Sequence, residues 1–338
     1  MKVTIKDIAQ AAGVAKSTVS KVMNDSPKIS EETKTRVRDI IKQMNYTPSS
    51  IATGLARQSS NTVAILIDMS KESEFLNQFF YNIIGGVESV IGPLKYELTI
   101  ANIQHDQAEG HFLHRLVLNK RVDGIIANTS VLTPELCAEL NRLEFPYISI
   151  GEINPPGTWV DCDNELGGTV LTGHLLEQGY SSVAFIGGEQ NEPLFLRRIA
   201  GYRATLQQAG LPVRSDRIIN GRAAEEDGYD AAMQLLQSTE PPDAIVCMSN
   251  FSAFGVLQAA RELNVQIPAQ LGIATFDEYP LSPYTTPPLT SLNMDTFQLG
   301  VSAGRLLMDK LGTPVNTVSG QLLEPVLIPR LSSLRSSR

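Results

Sequence analysis

The sequence predicts an all-α helix-turn-helix head followed by an α/β core of two doubly wound parallel-sheet lobes. Three observations carry this. Short segments with apolar residues at helical spacing come first, with a glycine turn between the first two. From residue 62 onward, β-rich runs alternate with amphipathic stretches, the rhythm of strand, helix, strand. Charge also changes sign along the chain: residues 1–60 hold ten basic and five acidic side chains, a balance of +5, leaving −13 for the rest of a chain of net charge −8. A basic head on an acidic body suits a phosphate-facing module carried by a domain that does not touch nucleic acid.

At 338 residues the chain has room for two or three domains. No uninterrupted apolar run reaches membrane-spanning length and the start lacks a signal-peptide core, so a cytoplasmic location without membrane contact is expected. Cys137, Cys162 and Cys247 lie far apart with no C-x-x-C pair, which reads as free thiols in a reducing compartment rather than a disulfide frame or zinc site.

In the head, Thr4-Ile5-Lys6-Asp7 has the form of a capping box, in which the Thr4 hydroxyl accepts an early N–H while Asp7 reaches back. Ile5, Ile8, Ala9 and Ala12 follow at helical spacing, Gly13 makes the turn and Val14 plugs the angle between helices. A second helix from Lys16 to about Asn24 turns Val19, Val22 and Met23 inward and Lys16, Ser17, Ser20 and Lys21 outward. Ser30-Glu31-Glu32-Thr33 caps a third helix with the apolar stripe Val37, Ile40, Ile41 and Met44. In a helix-turn-helix the polar second helix enters the major groove.

These residues resemble the lactose-repressor (LacI/GalR) family. The likeness is carried by Thr4-Ile5-Lys6-Asp7-Ile8-Ala9, Ala12-Gly13-Val14, Ser17-Thr18-Val19-Ser20-Lys21-Val22-Met23-Asn24, Ile29-Ser30-Glu31-Glu32-Thr33 and Asn45-Tyr46-Thr47-Pro48, and extends over nearly the whole chain. It implies a DNA-binding transcription regulator that binds near-palindromic double-stranded operator as a homodimer. Positions matching Lys16, Ser17 and Lys21 would reach base edges, those matching Thr18, Ser20, Asn24 and Ser30 would mainly hold phosphates, and Thr4 and Lys28 join the DNA-binding set. Lys21 stands where many members carry arginine and so lacks the bidentate fork to guanine. Ala15 stands where serine often caps the second helix.

Residues 48–56 hold Ser49, Ala52, Gly54 and Leu55 in a segment too short to form a helix alone in water. The resemblance makes it a hinge helix that folds when two copies meet in the minor groove. There Leu55 wedges into the central base step and small Ala52 permits the close approach.

The core strands read as Val63–Ile67, Tyr96–Ala101, Gly124–Ala127, Tyr147–Ile150, Val183–Gly188, Ala244–Cys247 and Gly272–Phe276, with helices through Phe79 to Ile91 and about Glu109–Asn119. The family likeness implies a periplasmic-binding-protein-like core with chain crossovers near 161, 292 and 323. The implied domains are 1–47 (head), 48–61 (hinge and linker), 62–160 with 292–322 (first lobe), 161–291 with 323–330 (second lobe) and 331–338 (tail).

The chain contains no P-loop, G-x-G-x-x-G, G-x-S-x-G or H-E-x-x-H motif. His111-x-x-His114 lacks a neighbouring carboxylate cluster and reads as a solvated helix face, so neither catalysis nor a metal or cofactor is expected. The family match instead assigns Arg198 and Asp277 to an effector cleft between the lobes. Asp68, Phe79 and Phe80 join them from the first lobe and Ser249, Asn250 and Phe251 from the second. A missing aromatic at Ala223 would leave room for a larger ligand, or move stacking to Phe251 or Trp159. Ser73-Glu74-Phe75 and Leu289-Thr290-Ser291-Leu292 running to Phe297-Gln298-Leu299-Gly300 are similar to maltose-operon-type repressors, which points to a gluco-oligosaccharide. The rival reading is a solute-binding protein of a transport system. It shares the core fold but lacks a DNA head.

Overall fold

Three helices make the head: α1 (Ile5–Ala12), α2 (Lys16–Met23) and α3 (Glu31–Gln43). The Asp7 carboxylate opens α1 by accepting both the Thr4 N–H at 2.8 Å and the Thr4 hydroxyl at 2.7 Å. The Thr4 side chain in turn accepts from the Asp7 backbone, so the capping box expected from the sequence forms. Gly13 ends α1 in the left-handed conformation (φ 63°), where a side chain would be strained. Ala15 leads into α2 with no side-chain cap, whereas Ser30 caps α3 by accepting the Thr33 N–H. Ile8, Ala9, Ala12, Val19, Val22 and Val37 are buried together, with Val14, Ile40, Ile41 and Met44 packed around them. Lys34 is only 6% exposed, its ammonium held 2.7 Å from Glu31 and 3.2 Å from Asp25. Those pairs tie the α2–α3 connection to α3.

The computed structural model describes residues 3–46, 59–68, 78–103, 112–153, 157–313 and 319–335. The chain divides into two units, Met1–Thr62 with Phe112–Asp123 and Val63–His111 with Gly124–Arg338. Within the first, Asp123 accepts the N–H groups of Ser60 at 2.7 Å and Asn61 at 2.8 Å and the Ser60 hydroxyl at 2.9 Å. Leu113–Leu118 forms a π-helical turn, where the sequence suggested an ordinary helix, and His114 is exposed on it.

The second unit holds two six-stranded sheets. The first runs β11-β5-β4-β3-β1-β2, from β1 (Thr62–Ile67), β2 (Glu97–Asn102), β3 (Gly124–Asn128), β4 (Tyr147–Ile150), β5 (Trp159–Cys162) and β11 (Gly320–Leu323). The second runs β12-β10-β9-β8-β6-β7, from β6 (Val183–Ile186), β7 (Ile218–Ile219), β8 (Ala244–Cys247), β9 (Gly272–Phe276), β10 (Thr290–Asn293) and β12 (Val326–Ile328). Strands buried on both faces account for the unbroken apolar runs of β1, β6 and β8. One departure from the expected all-parallel lobes is β12, which pairs antiparallel with β10 at the sheet edge. The chain returns there from β11 in the other sheet, entering β12 from a direction no βαβ crossover could give.

Helices α4 (Gln78–Ile91), α5 (Pro134–Arg142), α6 (Asn164–Glu177), α7 (Pro193–Gln208), α8 (Glu225–Leu236), α9 (Asn250–Glu262) and α10 (Thr296–Gly312) cover the sheets. Three helix pairs meet at facing glycines. A Cβ on Gly201 of α7 would overlap the Glu165 carbonyl oxygen, and one on Gly168 of α6 would overlap that of Arg198. Gly86 faces Gly300 between α4 and α10, and Gly228 faces Gly255 between α8 and α9, in the same way. The α6–α7 contact fixes how deeply Arg198 sits.

Candidate functional site

On α2, Lys16, Ser17 and Lys21 are exposed and Thr18 and Ser20 half-buried. Residues 16, 17, 20, 21 and 24 share one helix face, opposite the buried Val19 and Val22. Around that face Thr4, Asn24, Lys28 and Ser30 are exposed. Three of these polar groups also serve the head: Thr4 binds Asp7, the Asn24 amide donates to the Ser20 carbonyl at 3.0 Å, and Ser30 caps α3. Ser49, Ala52 and Leu55 lie outside the described residues.

Between the two sheets lies a cavity of about 300 Å³. From the first lobe it is lined by Phe79, Asn82 and the segment Asn293–Phe297, and from the second by Ser249, Asn250, Phe251 and the segment Asp277–Pro280. Phe251 and Tyr279 lie 5.9 Å apart between ring centroids and both pack on Phe254. Phe79 meets Phe80 edge-on at 5.7 Å, which places Phe80 behind it rather than in the lining. Ser249 opens α9, its hydroxyl accepting the Ser252 N–H and donating to the carbonyl of exposed Ala223 at 3.0 Å. Asp68 and Trp159 are half-buried and outside the lining.

The cleft carries three carboxylates, Asp277, Glu278 and Asp295, and no cationic side chain among its described lining residues. Asp277 (φ 64°) and Asp295 (φ 36°) both sit in left-handed backbone, a cost that a fold retains where a side chain must be aimed. Asp295 also caps α10, accepting the Gln298 N–H at 3.0 Å. Beneath the cleft lies Arg198, 5% exposed. Its Nε donates to the Asn164 amide oxygen at 3.0 Å, one Nη to the Met248 carbonyl at 2.6 Å, and the other faces Asp277 at 3.6 Å. The guanidinium stacks 4.1 Å above the Phe276 ring. Arg198 is thus not itself a lining residue but lies behind Asp277, which is 35% exposed and lines the cavity.

Sequence reasoning missed Asn82, Tyr279, Asn293, Asp295, Thr296 and the partner of Glu278. That partner is Arg330, which grips the Glu278 carboxylate at 2.6 and 3.0 Å while also donating to the Leu289 carbonyl. The pair is 52 residues apart, a distance no local pattern encodes.

The model for bacterial regulatory proteins of the lacI family matches residues 4–49, and that for a periplasmic binding protein-like domain matches residues 172–333. Catabolite control protein A of Priestia megaterium is 31% identical over 312 residues, 91% of this chain and 92% of that one. The chain belongs to the LacI family. The HTH-type transcriptional repressor PurR of Vibrio atlanticus (strain LGP32) is 31% identical over the same lengths. Among solved structures, a transcriptional regulator CelR–cellobiose complex superposes with a TM-score of 0.73 at 26% identity, covering 98% of this chain and 100% of that one. The lac repressor dimer bound to operator and the anti-inducer ONPF shares the fold, with a TM-score of 0.83 at 23% identity over 99% and 100% of the chains. This LacI-family protein is an effector-controlled DNA-binding repressor and not an enzyme. Among its described residues no helix is long and apolar enough to cross a membrane, and none group into a metal-binding cluster.

Proposed function

We propose that the protein is a cytoplasmic, dimeric repressor whose operator binding is controlled by a neutral sugar, with a gluco-oligosaccharide the best fit. The observation that carries this is the lining of the cleft. Aromatic faces at Phe79, Phe251, Tyr279 and Phe297 suit the apolar faces of pyranose rings. The carboxylates of Asp277, Glu278 and Asp295 and the amides of Asn82, Asn250 and Asn293 suit paired hydroxyls. Asp277 and Glu278 pair with Arg198 and Arg330 behind the lining, so among the described lining residues the cleft face itself shows three carboxylates and no cation, which disfavours phosphorylated sugars. Arg198 braces Asp277 from below and offers its remaining N–H to the ligand. The cellobiose bound by the CelR regulator supports the same ligand class.

On DNA, Lys16, Ser17 and Lys21 read bases, and Thr4, Thr18, Ser20, Asn24, Lys28 and Ser30 hold the backbone. Ser49, Ala52 and Leu55 form the hinge contact with the minor groove. The expected domain limits, 1–47, 48–61, 62–160 with 292–322, 161–291 with 323–330 and 331–338, stand as part of this proposal, except that β5 (Trp159–Cys162), and with it Asp161, is counted with the first lobe because it pairs in the first sheet. A thermal-shift screen of neutral and phosphorylated sugars and purines tests the effector assignment. Stabilisation by a neutral di- or oligosaccharide is expected; stabilisation only by purines or sugar phosphates would overturn it.

A further inference from the structure

Arg197 belongs to α7 in the second lobe, yet both of its ion-pair partners belong to the first. Its two Nη atoms lie 2.8 Å from Glu152 Oε2 and 2.8 Å from Asp161 Oδ2. Glu152 follows β4 and Asp161 lies in β5, neighbours in the first sheet. Arg197 does not line the cleft, so contact with an effector does not account for the two carboxylates gathered around it.

Asp161 is built in rather than left on the surface. Its side chain is 13% exposed, and it accepts the N–H of Cys162 at 2.8 Å and that of Glu152 at 3.2 Å. Burial outweighs these donors and the nearby arginines and raises its carboxyl above the ordinary range. The same carboxylate accepts the Asn164 amide at 3.3 Å, and Asn164 in turn accepts from Arg198, which faces Asp277. A continuous polar path thus joins the cleft carboxylate to the contact between the lobes.

We propose that Arg197 is an inter-lobe latch: its guanidinium, forked between Glu152 and Asp161, holds the lobes closed, and the Asn164–Arg198 path couples it to the cleft. The latch supplies part of the closure free energy before any effector arrives, so the effector supplies only the remainder. Its coupling to the effector rests on the cleft assignment above; the latch itself can be tested with no effector present.

The test uses the full chain with spin labels at Glu135→Cys on α5 and Asp230→Cys on α8, both exposed positions in opposite lobes. Cys137, Cys162 and Cys247 are buried and protected from the label. Electron–electron resonance then reads the inter-lobe distance distribution. Arg197→Gln should lower the closed-to-open ratio about fivefold, seen as a second distance population. Glu152→Gln should give part of that change and add little to Arg197→Gln. Salt that shortens the Debye length from about 10 Å to about 3 Å should shift the unsubstituted labelled protein the same way, with no substitution in the latch. A distribution unmoved by Arg197→Gln and by salt, or strictly additive variants, would overturn the proposal.

Discussion

Truncating Arg198 to alanine should cost the core far more than an exposed arginine would. Two buried acceptors, the Asn164 amide oxygen and the Met248 carbonyl, lose the donors now at 3.0 and 2.6 Å. Each abandoned group costs about 1–3 kcal/mol. The stacking over Phe276, at 4.1 Å, adds about 1 kcal/mol. The expected loss is therefore about 3–7 kcal/mol, a large part of a typical folding free energy. Asp277 would at the same time lose its counter-charge, so the effector response should vanish. Arg198→Lys keeps the charge but not the planar fork, and should recover about half the stability. Urea unfolding followed by the fluorescence of Trp159, the one tryptophan in the chain, measures the stability. Calorimetry with the sugar found by screening measures the response. An Arg198→Ala protein with an unchanged midpoint and a normal response would show that Arg198 supports neither the core nor Asp277.

Gly201→Ala should lower the thermal midpoint by the equivalent of about 3 kcal/mol, since its methyl group has backbone rather than a flexible side chain to displace. Scanning calorimetry checks this, and an unchanged midpoint would mean that α6 and α7 can part freely. Lys21→Arg should sharpen operator choice by about 1–3 kcal/mol at one base pair, read from competition between operators differing at that position. Acid should loosen the head before neutral pH does anything to it. Thr4 holds the Asp7 carboxyl below its ordinary range, and Lys34, then Arg38, do the same for Asp25. A carboxyl lowered on folding contributes stability above its unfolded pKa and loses it as pH falls through the folded value, so the loss begins below about pH 4. Pepsin cleavage within residues 3–46 should rise there in the wild type and less steeply in Asp7→Asn, which lacks one of the two titrations.

What was legible in the sequence was what local pattern encodes. The buried strands β1, β3, β4, β6, β8 and β9 announced themselves as short apolar runs, and Gly13 as a turn. The five short strands β5, β7, β10, β11 and β12 did not. Trp159-Val160-Asp161-Cys162 mixes polar and apolar residues, β7 has two residues, and β11 is largely exposed at its sheet edge. Facing glycine pairs such as Gly168 and Gly201 were also hidden, because each looks like a mild helix defect until its partner is brought beside it. In the site, Arg198 and Asp277 were reached through family likeness. The burial of Arg198 was not, because it depends on Asn164 and Met248, 34 and 50 residues away. Arg330 beneath Glu278 and the Arg197 fork were hidden for the same reason.

In the proposed function a neutral sugar in the cleft governs operator binding. Fluorescence anisotropy of a labelled operator, titrated with the protein with and without the sugar identified by screening, tests it directly. Saturating sugar should weaken operator affinity at least about tenfold, a coupling within the usual allosteric range, and Asp277→Asn should remove the effect while sugar-free binding stays intact. A sugar that binds the wild-type cleft yet leaves operator affinity unchanged would contradict it.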